Sequence, residues 1–346
     1  MLEQLLEKRL LFVTGKGGVG KSTVTAALAR ALAQTSRRVL VLETDTFSAM
    51  EDLFDYSSPG LEPVAINEYL HASNLTSEEC FIATLRRFVP SERIARAVIK
   101  NRVARVFFKA APSVNEVTIL DQVRVFFEKT DDDGKPFYDH IIVDLPASGH
   151  AVTFLNVPAT MHGMMRGIGP IAKMSGKVAN LISDPKTTAI VAVCLPEEMP
   201  VNETIELAAK LDDELGRPLD MAIVNMVHQS PVPEENRQAF EEIHTQIRKD
   251  YPGVEAFFFE DEEERSESTA LARLIAGNAL ALGWFERDSE YLQLLYDRLD
   301  APIIEVPLVY ESSGVDVVGK MARFLLEGNP AGDSVSDDES SQGVPR

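Results

Sequence analysis

The strongest constraint on the fold is a glycine-rich loop near the N-terminus. An apolar run from Leu10 to Val13 precedes this loop, and an amphipathic run from Thr25 to Gln34 follows it. Strand, glycine loop and helix in this order are the context of a phosphate-binding loop. A glycine-rich turn that binds nothing is the alternative, and the flanking strand and helix disfavour it. The loop residues are Gly15, Lys16, Gly17, Gly18, Val19, Gly20, Lys21, Ser22 and Thr23.

Three side chains give this loop its expected chemistry. The glycines let backbone N–H groups turn toward phosphate oxygens, and the positive end of the following helix points to the same place. Lys21 can reach the β- and γ-phosphates, and the Ser22 hydroxyl can take a Mg²⁺ coordination site. Lys16 is a second basic residue close to the phosphates, unless it is an ordinary solvated lysine. The loop therefore predicts ATP and Mg²⁺ as cofactors.

Composition limits the classes of partner. The formal net charge is −20 and the isoelectric point is near 4.8, so the surface repels nucleic acid and anionic lipid. The two cysteines, Cys80 and Cys194, are far apart and offer neither a disulfide framework nor a C-x-x-C metal motif. No apolar stretch is long enough for a bilayer span, and the N-terminus lacks a signal peptide. We expect a cytoplasmic protein with no nucleic-acid partner and no stable membrane insertion.

Buried apolar runs that alternate with helical patterns predict an α/β fold, a doubly wound and mainly parallel sheet with a helical subdomain. A helical pattern from Ile66 to Lys129 interrupts the sheet, and a methionine-rich segment from Phe154 to Ser183 is broken by glycines and Pro170. A short edge strand is predicted over 255–259. The predicted units are the start of the nucleotide-binding core (1–65), a helical insertion (66–130), more core (131–152), a methionine-rich helical segment (153–184), the rest of the core (185–327) and a disordered acidic tail (328–346).

Two carboxylates follow predicted strands. Asp144 ends the apolar run that starts at His140, where a nucleotide enzyme holds the water shell of its Mg²⁺. Asp45 follows the second strand and could hold the metal or position the attacking water. Helix capping is the alternative for both residues, and for Asp45 the local sequence favours neither reading. Gly149 and His150 follow Asp144 and could form a switch that senses the γ-phosphate, although a lone histidine is more often structural.

In this order, the motifs resemble the ArsA/Get3 ATPase family, which belongs to the MinD- and ParA-like P-loop superfamily. The resemblance covers nearly the whole chain up to about Leu326. It is carried by K-G-G-V-G-K-S-T in the loop, Thr44-Asp45, Asp144 with Gly149-His150, Val224-Asn225, and Val306-Pro307-Leu308.

The resemblance implies roles for individual residues. Lys16 matches the lysine of a deviant Walker A loop, which reaches the partner's phosphates and so implies a homodimer. Asp45 corresponds to the water-activating aspartate, and His150 to the histidine of the second switch. Asn225 corresponds to a residue that contacts the adenine, and Pro307 to a loop that covers the base.

This chain departs from the family pattern at both switches. The first switch usually reads T-D-P-A-H-S. Here residues 44–49 read T-D-T-F-S-A, so Thr46, Ser48 and Ala49 stand where the family has its proline, histidine and serine. The second usually reads D-T-A-P-T-G-H-T, and here it runs from Asp144 to Ala151 with only the aspartate, glycine and histidine of its key positions retained. The metalloid-binding cysteines and the zinc-clamping C-x-x-C are missing. Hydrolysis is still expected, with altered coupling to the substrate site.

Three classes of biological process could be driven by this ATPase. Met161, Met164, Met165 and Met174 could line a groove for a hydrophobic, tail-anchored-like client helix, since methionine is flexible and polarizable. Packing of these methionines in the core is an equal alternative. The catalytic subunit of an arsenite or anion efflux pump is the second class, disfavoured by the missing thiols. A MinD/ParA-like regulatory switch is the third, disfavoured by the negative charge.

Overall fold

A computed structural model describes residues 5–44, 48–57, 60–88, 112–250 and 267–327 of the 346-residue chain. The strands in these ranges are β1 (Leu10–Gly15), β2 (Val39–Glu43), β3 (Val64–Ala65), β4 (Leu70–Asn74), β5 (His140–Asp144), β6 (Thr188–Cys194), β7 (Met221–Val227) and β8 (Ile303–Pro307). The α-helices are α1 (Lys21–Gln34), α2 (Met50–Phe54), α3 (Ser77–Phe88), α4 (Pro112–Phe127), α5 (Ser148–Met164), α6 (Pro170–Ser183), α7 (Glu198–Leu215), α8 (Arg237–Asp250), α9 (Glu267–Arg298) and α10 (Gly314–Glu327).

The eight strands form one sheet in the order β3-β4-β2-β5-β1-β6-β7-β8. All neighbours pair in parallel except β3 with β4. The inner strands are buried along their whole length, as their near-continuous apolar sequences require. The predicted α/β fold with a doubly wound, mainly parallel sheet is confirmed. Because β1 lies between β5 and β6, the loop after β1 opens at the carboxyl edge of the sheet, where such folds place their ligands.

Helices cover both faces of the sheet. One core layer packs α1, α2 and α10 against the sheet, and the other packs α4, α5, α6, α7 and α9 against the opposite face. A smaller cluster lies between α4, α5 and α6, where Val117, Val157 and Met174 contact one another. In the part of the chain that is described, none of the helices has the length and hydropathy needed to cross a bilayer.

The structure corrects several predicted boundaries. The helical insertion was expected to begin at residue 66, but residues 70–74 form strand β4, whose Ser73 hydroxyl bonds to the carbonyl of Leu61. Leu70 and Ala72 are the only apolar residues of that strand, so its pattern is too weak to recognise. Helix α7 begins at Glu198 and has Pro200 in its first turn, where a proline is tolerated.

The methionine-rich segment is broken, as its glycines and Pro170 predict, and forms two separate helices, α5 and α6. The break lies at residues 165–169, where Arg166, Gly167 and Gly169 all have positive φ. The predicted edge strand at 255–259, the tail at 328–346 and the middle of the helical insertion lie outside the described residues.

Candidate functional site

The glycine loop connects β1 to α1, and its backbone lies close to other residues at Gly15 and Gly20. A Cβ on Gly15 would lie 2.3 Å from the carbonyl oxygen of Val193 at the end of β6. Gly20 has φ +79°, and a Cβ there would lie 2.4 Å from Nδ2 of Asn225. Both positions therefore require glycine, whereas a Cβ on Gly17 would meet nothing within 4 Å. Gly18 also has a positive φ, and Thr23 lies in the first turn of α1.

Asn225 supports the loop from β7. Its side chain is 3% exposed, and its Nδ2 donates a hydrogen bond of 3.0 Å to the carbonyl oxygen of Val19. Val19 is itself buried in the core layer under the loop. In this structure the Asn225 amide therefore fixes the backbone of the loop, and its contact with a base stays a prediction.

Three of the predicted residues meet at the carboxyl edge of the sheet. Lys21 Nζ lies 2.5 Å from Oδ1 of Asp144, and the Ser22 hydroxyl donates a hydrogen bond of 2.6 Å to Oδ2 of the same carboxylate. Asp144 is 7% exposed, and its backbone carbonyl accepts a bond from the Thr44 hydroxyl. A hydroxyl and a carboxylate at this spacing, beside a lysine, are a donor set that fits Mg²⁺ and phosphate together.

Glu43 is a second carboxylate at this edge that the sequence reading missed. It lies opposite Asp144 in the register of β2 and β5, and it is 3% exposed. Burial raises the pKa of Glu43, and the nearby charge of Asp144 raises it further, while bonds from Ser48, Ala49 and Met50 lower it. The sequence signal that could have identified Glu43 is a carboxylate at the end of an otherwise apolar strand.

Glu43 holds the start of α2. Its Oε1 accepts hydrogen bonds from the backbone N–H groups of Ala49 and Met50, at 2.7 and 3.1 Å. Glu43 therefore satisfies two backbone donors at the start of α2. Asp45, Thr46 and Phe47 lie outside the described residues.

Lys16 forms an ion pair within its own chain. Its Nζ lies 2.9 Å from Oε1 of Glu203 on α7. The other oxygen of Glu203 accepts a long bond of 3.5 Å from the hydroxyl of Ser148, the first residue of α5. Glu203 therefore links the glycine loop to the segment that follows Asp144. Sequence reasoning missed this residue because nothing near Glu203 marks it as a partner of a distant loop.

The candidate switch residues lie at the start of α5. Gly149 and His150 are both exposed in its first turn, and the His150 N–H donates to the carbonyl of Ala147. Glu116 on α4 lies close enough to His150 for that histidine to lower the pKa of its carboxyl, although burial raises this pKa by more. A Cβ on Gly149 would meet no atom within 4 Å.

The four methionines fall into two groups. Met174 is 6% exposed and belongs to the small cluster with Val117 and Val157, against which Met161 is partly buried. Met164 is 80% exposed and Met165 is 38% exposed at the end of α5. Met174 is therefore a packing residue in this conformation, and it does not line an exposed groove.

Pro307 lines a cavity of about 510 Å³ beside the ends of β7 and β8. His228, just beyond β7, bonds through Nδ1 to the fully buried carboxylate of Asp288 at 2.7 Å and lies against the ring of Trp284. Phe285 and Tyr296 contribute aromatic surface from α9. The cavity has the mixture of rings and polar groups that suits a planar, polar heterocycle.

Comparisons with known proteins agree with this geometry. A model of the anion-transporting ATPase family matches residues 8–183 and 171–261. The ATPase BagA of Mycobacterium tuberculosis is 33% identical over 224 residues, which cover 63% of this chain and 64% of that protein. The arsenical pump-driving ATPase of Escherichia coli is 27% identical over 247 residues, or 66% of this chain and 41% of that protein. The chain thus spans less than two thirds of the length of these relatives.

The steric demand at Gly20 gives a testable consequence. Gly20→Ala should lower the free energy of unfolding by about 2–4 kcal/mol, because a left-handed alanine is strained and its Cβ displaces the Asn225 amide. Gly17→Ala, in the same loop, should change it by less than about 0.5 kcal/mol. Urea unfolding without nucleotide measures both. Equal effects of the two substitutions would contradict the assigned contact.

Proposed function

The chain belongs to the anion-transporting ATPase family, and on that premise we propose that it is a Mg²⁺-dependent ATPase that works as a nucleotide-driven homodimer. The observation that carries this proposal is the cluster of Lys21, Ser22 and Asp144 beside the glycine loop. Lys21 and Ser22 begin helix α1 and Asp144 ends strand β5, and they meet where the backbone of the loop can surround phosphate oxygens.

Binding of the nucleotide exchanges one partner of Lys21 for another. Without nucleotide, the ammonium group neutralises the nearly buried Asp144 carboxylate. With nucleotide, Lys21 would turn to the β- and γ-phosphates. Ser22 and Asp144 would then hold Mg²⁺, which would supply positive charge to offset that of the phosphates. We assign Asp45 the positioning and activation of water because of its place in the family motif.

The adenosine moiety is assigned to the cavity beside β7 and β8. Pro307 lines this cavity, and His228 offers a ring face next to it. Asn225 is assigned to the adenine edge, within reach of the loop that it supports. The exchange between apo and bound states would then include the Asn225 amide, which bonds to Val19 in this structure.

The homodimer proposal gives Lys16 two partners. In this chain it pairs with Glu203, and in the dimer it reaches the phosphates of the opposite subunit, as an arginine finger does in trans. Gly149 and His150 are assigned to γ-phosphate sensing, since they lie in the first turn of α5, shortly after Asp144. Rearrangement there would reach the layer of α4, α5 and α6. The two cysteines are buried and unpaired, which supports a cytoplasmic setting.

Two outputs are compatible with this cycle. We favour a hydrophobic, tail-anchored-like client, because opening of the layer formed by α4, α5 and α6 would expose Met161 and Met174. A pump subunit is the second candidate, because the relative from Escherichia coli is named an arsenical pump-driving ATPase. Burial raises the pKa of Cys80 to about 12 and that of Cys194 to about 11, so neither thiol is a ready metalloid ligand. Stimulation of hydrolysis by antimonite would favour the pump, and stimulation by a hydrophobic helical peptide would favour the client.

Hydrolysis of ATP tests the assigned chemistry. Asp45→Asn should lower kcat at least about 100-fold with little change in ATP affinity, because the attacking water loses its base. Asp52→Asn, the same change on the exposed face of α2, is the matched control and should keep the wild-type rate. Steady-state phosphate release and equilibrium nucleotide binding separate the two effects. Equal rates for both variants would rule out the role of Asp45.

The pair of Lys16 and Glu203 predicts how the rate depends on protein concentration. Glu203→Gln frees Lys16 for the partner, and a half-exposed pair of this kind is worth up to about 1 kcal/mol. Because a symmetric dimer breaks two such pairs, half-maximal specific activity should need up to about 30-fold less protein. Glu206→Gln, on the same helix, should leave this dependence unchanged.

In a Lys16→Ala background, Glu203→Gln should no longer change how the rate depends on protein concentration, since Glu203 acts through the Lys16 side chain. An unchanged concentration dependence in Glu203→Gln would show that the pair does not compete with dimerisation.

A further inference from the structure

The turn between α5 and α6 is a preformed hairpin tip. Backbone bonds connect Gly167 N–H to the His162 carbonyl and Ile168 N–H to the Met165 carbonyl. The His162 ring bonds through Nδ1 to the carbonyl of Ala172. A Cβ on Gly176 would lie 2.7 Å from the same ring, so α5 and α6 pack closely here. These contacts fix the direction in which the turn points.

The tip exposes large apolar side chains. Met164 is 80% exposed and Ile168 is 74% exposed, and Ile171 and Met165 follow at 40% and 38%. The bases of both helices are buried instead, through Phe154 and Leu155 on α5 and Val178 and Ile182 on α6. We call the four exposed residues, Met164, Met165, Ile168 and Ile171, the apolar tip. Contiguous apolar exposure of this kind marks an interaction surface rather than ordinary surface composition.

The charge around the apolar tip is opposite to that of the whole chain. Asp and Glu make up 54 of the 346 residues, yet the sequence between Asp144 and Asp184 contains neither. The same stretch carries Arg166, Lys173 and Lys177, all exposed, and we call these three the cationic rim. Within the described ranges, none of the three forms an ion pair. These three exposed side chains are therefore available to an external partner.

We propose that the apolar tip and its cationic rim dock on an anionic lipid surface. The apolar side chains would enter the boundary between headgroups and acyl chains, and the rim would lie among the phosphates. Met164 is ten residues beyond the buried Phe154, which is about 15 Å along a helix. That distance exceeds a Debye length of about 8 Å, so the acidic body of the protein is screened from the membrane that the tip touches.

The shape of the tip favours lipid over a protein partner. A specific protein interface buries roughly 800 Å² on each side, and four side chains at a helical turn cannot supply such an area. A client helix would need a concave groove, whereas the most exposed residues, Met164 and Ile168, project from the end of the hairpin. A planar, deformable and negatively charged surface matches both the projection and the rim.

This inference goes beyond the proposed function and does not depend on it. Docking needs neither nucleotide nor hydrolysis. A chain that binds vesicles but does not hydrolyse ATP would contradict the proposed function and leave the docking proposal intact. It also revises the expectation that the negative net charge excludes anionic lipid, because the charge is distributed unevenly.

Sedimentation of the full chain with vesicles tests the proposal. Without nucleotide and at 0.1 M salt, the protein should bind vesicles of 70% phosphatidylcholine and 30% phosphatidylglycerol at least fivefold more tightly than pure phosphatidylcholine. Met164→Ser with Ile168→Ser should weaken this binding at least fivefold, and so should Lys173→Gln with Lys177→Gln. The matched control, Met199→Ser with Lys210→Gln on α7, should bind like the wild type.

A fluorescent label reports the contact directly. Both native cysteines are fully buried, so Ile168→Cys can be labelled selectively with an environment-sensitive dye. Its emission should shift to the blue on anionic vesicles, whereas a label at Leu280→Cys, on α9, should not respond. Unchanged vesicle binding in the tip variants, or equal binding to neutral vesicles, would overturn the proposal. A blue shift with a hydrophobic helical peptide but not with vesicles would also overturn it, in favour of a protein partner.

Discussion

The carboxylate of Asp144 is the point on which the rest of the site depends. It is nearly buried at the end of a central strand, a position where an isolated negative charge would be costly. Lys21 and Ser22 satisfy its two oxygens, and both belong to the first turn of α1, so the carboxylate fixes the helix against the strand. In our proposal these partners are also the groups that nucleotide and metal recruit. The contacts of Asp144 with Lys21 and Ser22 and the binding of the ligand would therefore compete for the same atoms.

A second level of organisation connects this site to the outer helices. Glu203, on α7, binds Lys16 of the glycine loop and Ser148 at the start of α5. Glu43, at the end of β2, binds the backbone at the start of α2. Each carboxylate thus connects the nucleotide edge of the sheet to a helix that covers it, and a change of partner at either one would reach that helix. This arrangement suits a protein in which nucleotide state alters an outer surface, which here includes the layer of α4, α5 and α6.

The sequence was sufficient to predict features that are contiguous or strongly patterned. The glycine loop is contiguous and Asp144 ends a clear apolar strand. The sheet, and the placement of Lys21, Ser22 and Asp144 at its carboxyl edge, could therefore be predicted. Strand β4 was missed because its sequence, Leu70 to Asn74, has too few apolar residues to show a period. Glu203 was missed because an ion pair between distant segments leaves no mark in either. Met174 and Met164 look alike in sequence, and only packing separates the buried residue from the exposed one.

In our account, Asp144 pairs with Lys21 until nucleotide binds, and then its carboxylate helps to hold the metal. Titration calorimetry of ATP binding, with Mg²⁺ and with a chelator, tests it in the wild type and in Asp144→Asn. We expect Mg²⁺ to tighten binding at least about tenfold in the wild type, since metal affinity rests on this carboxylate. In Asp144→Asn that dependence should disappear, while metal-free ATP binds at least as well because Lys21 is released. An Asp144→Asn protein that retains the full effect of Mg²⁺ would contradict the account.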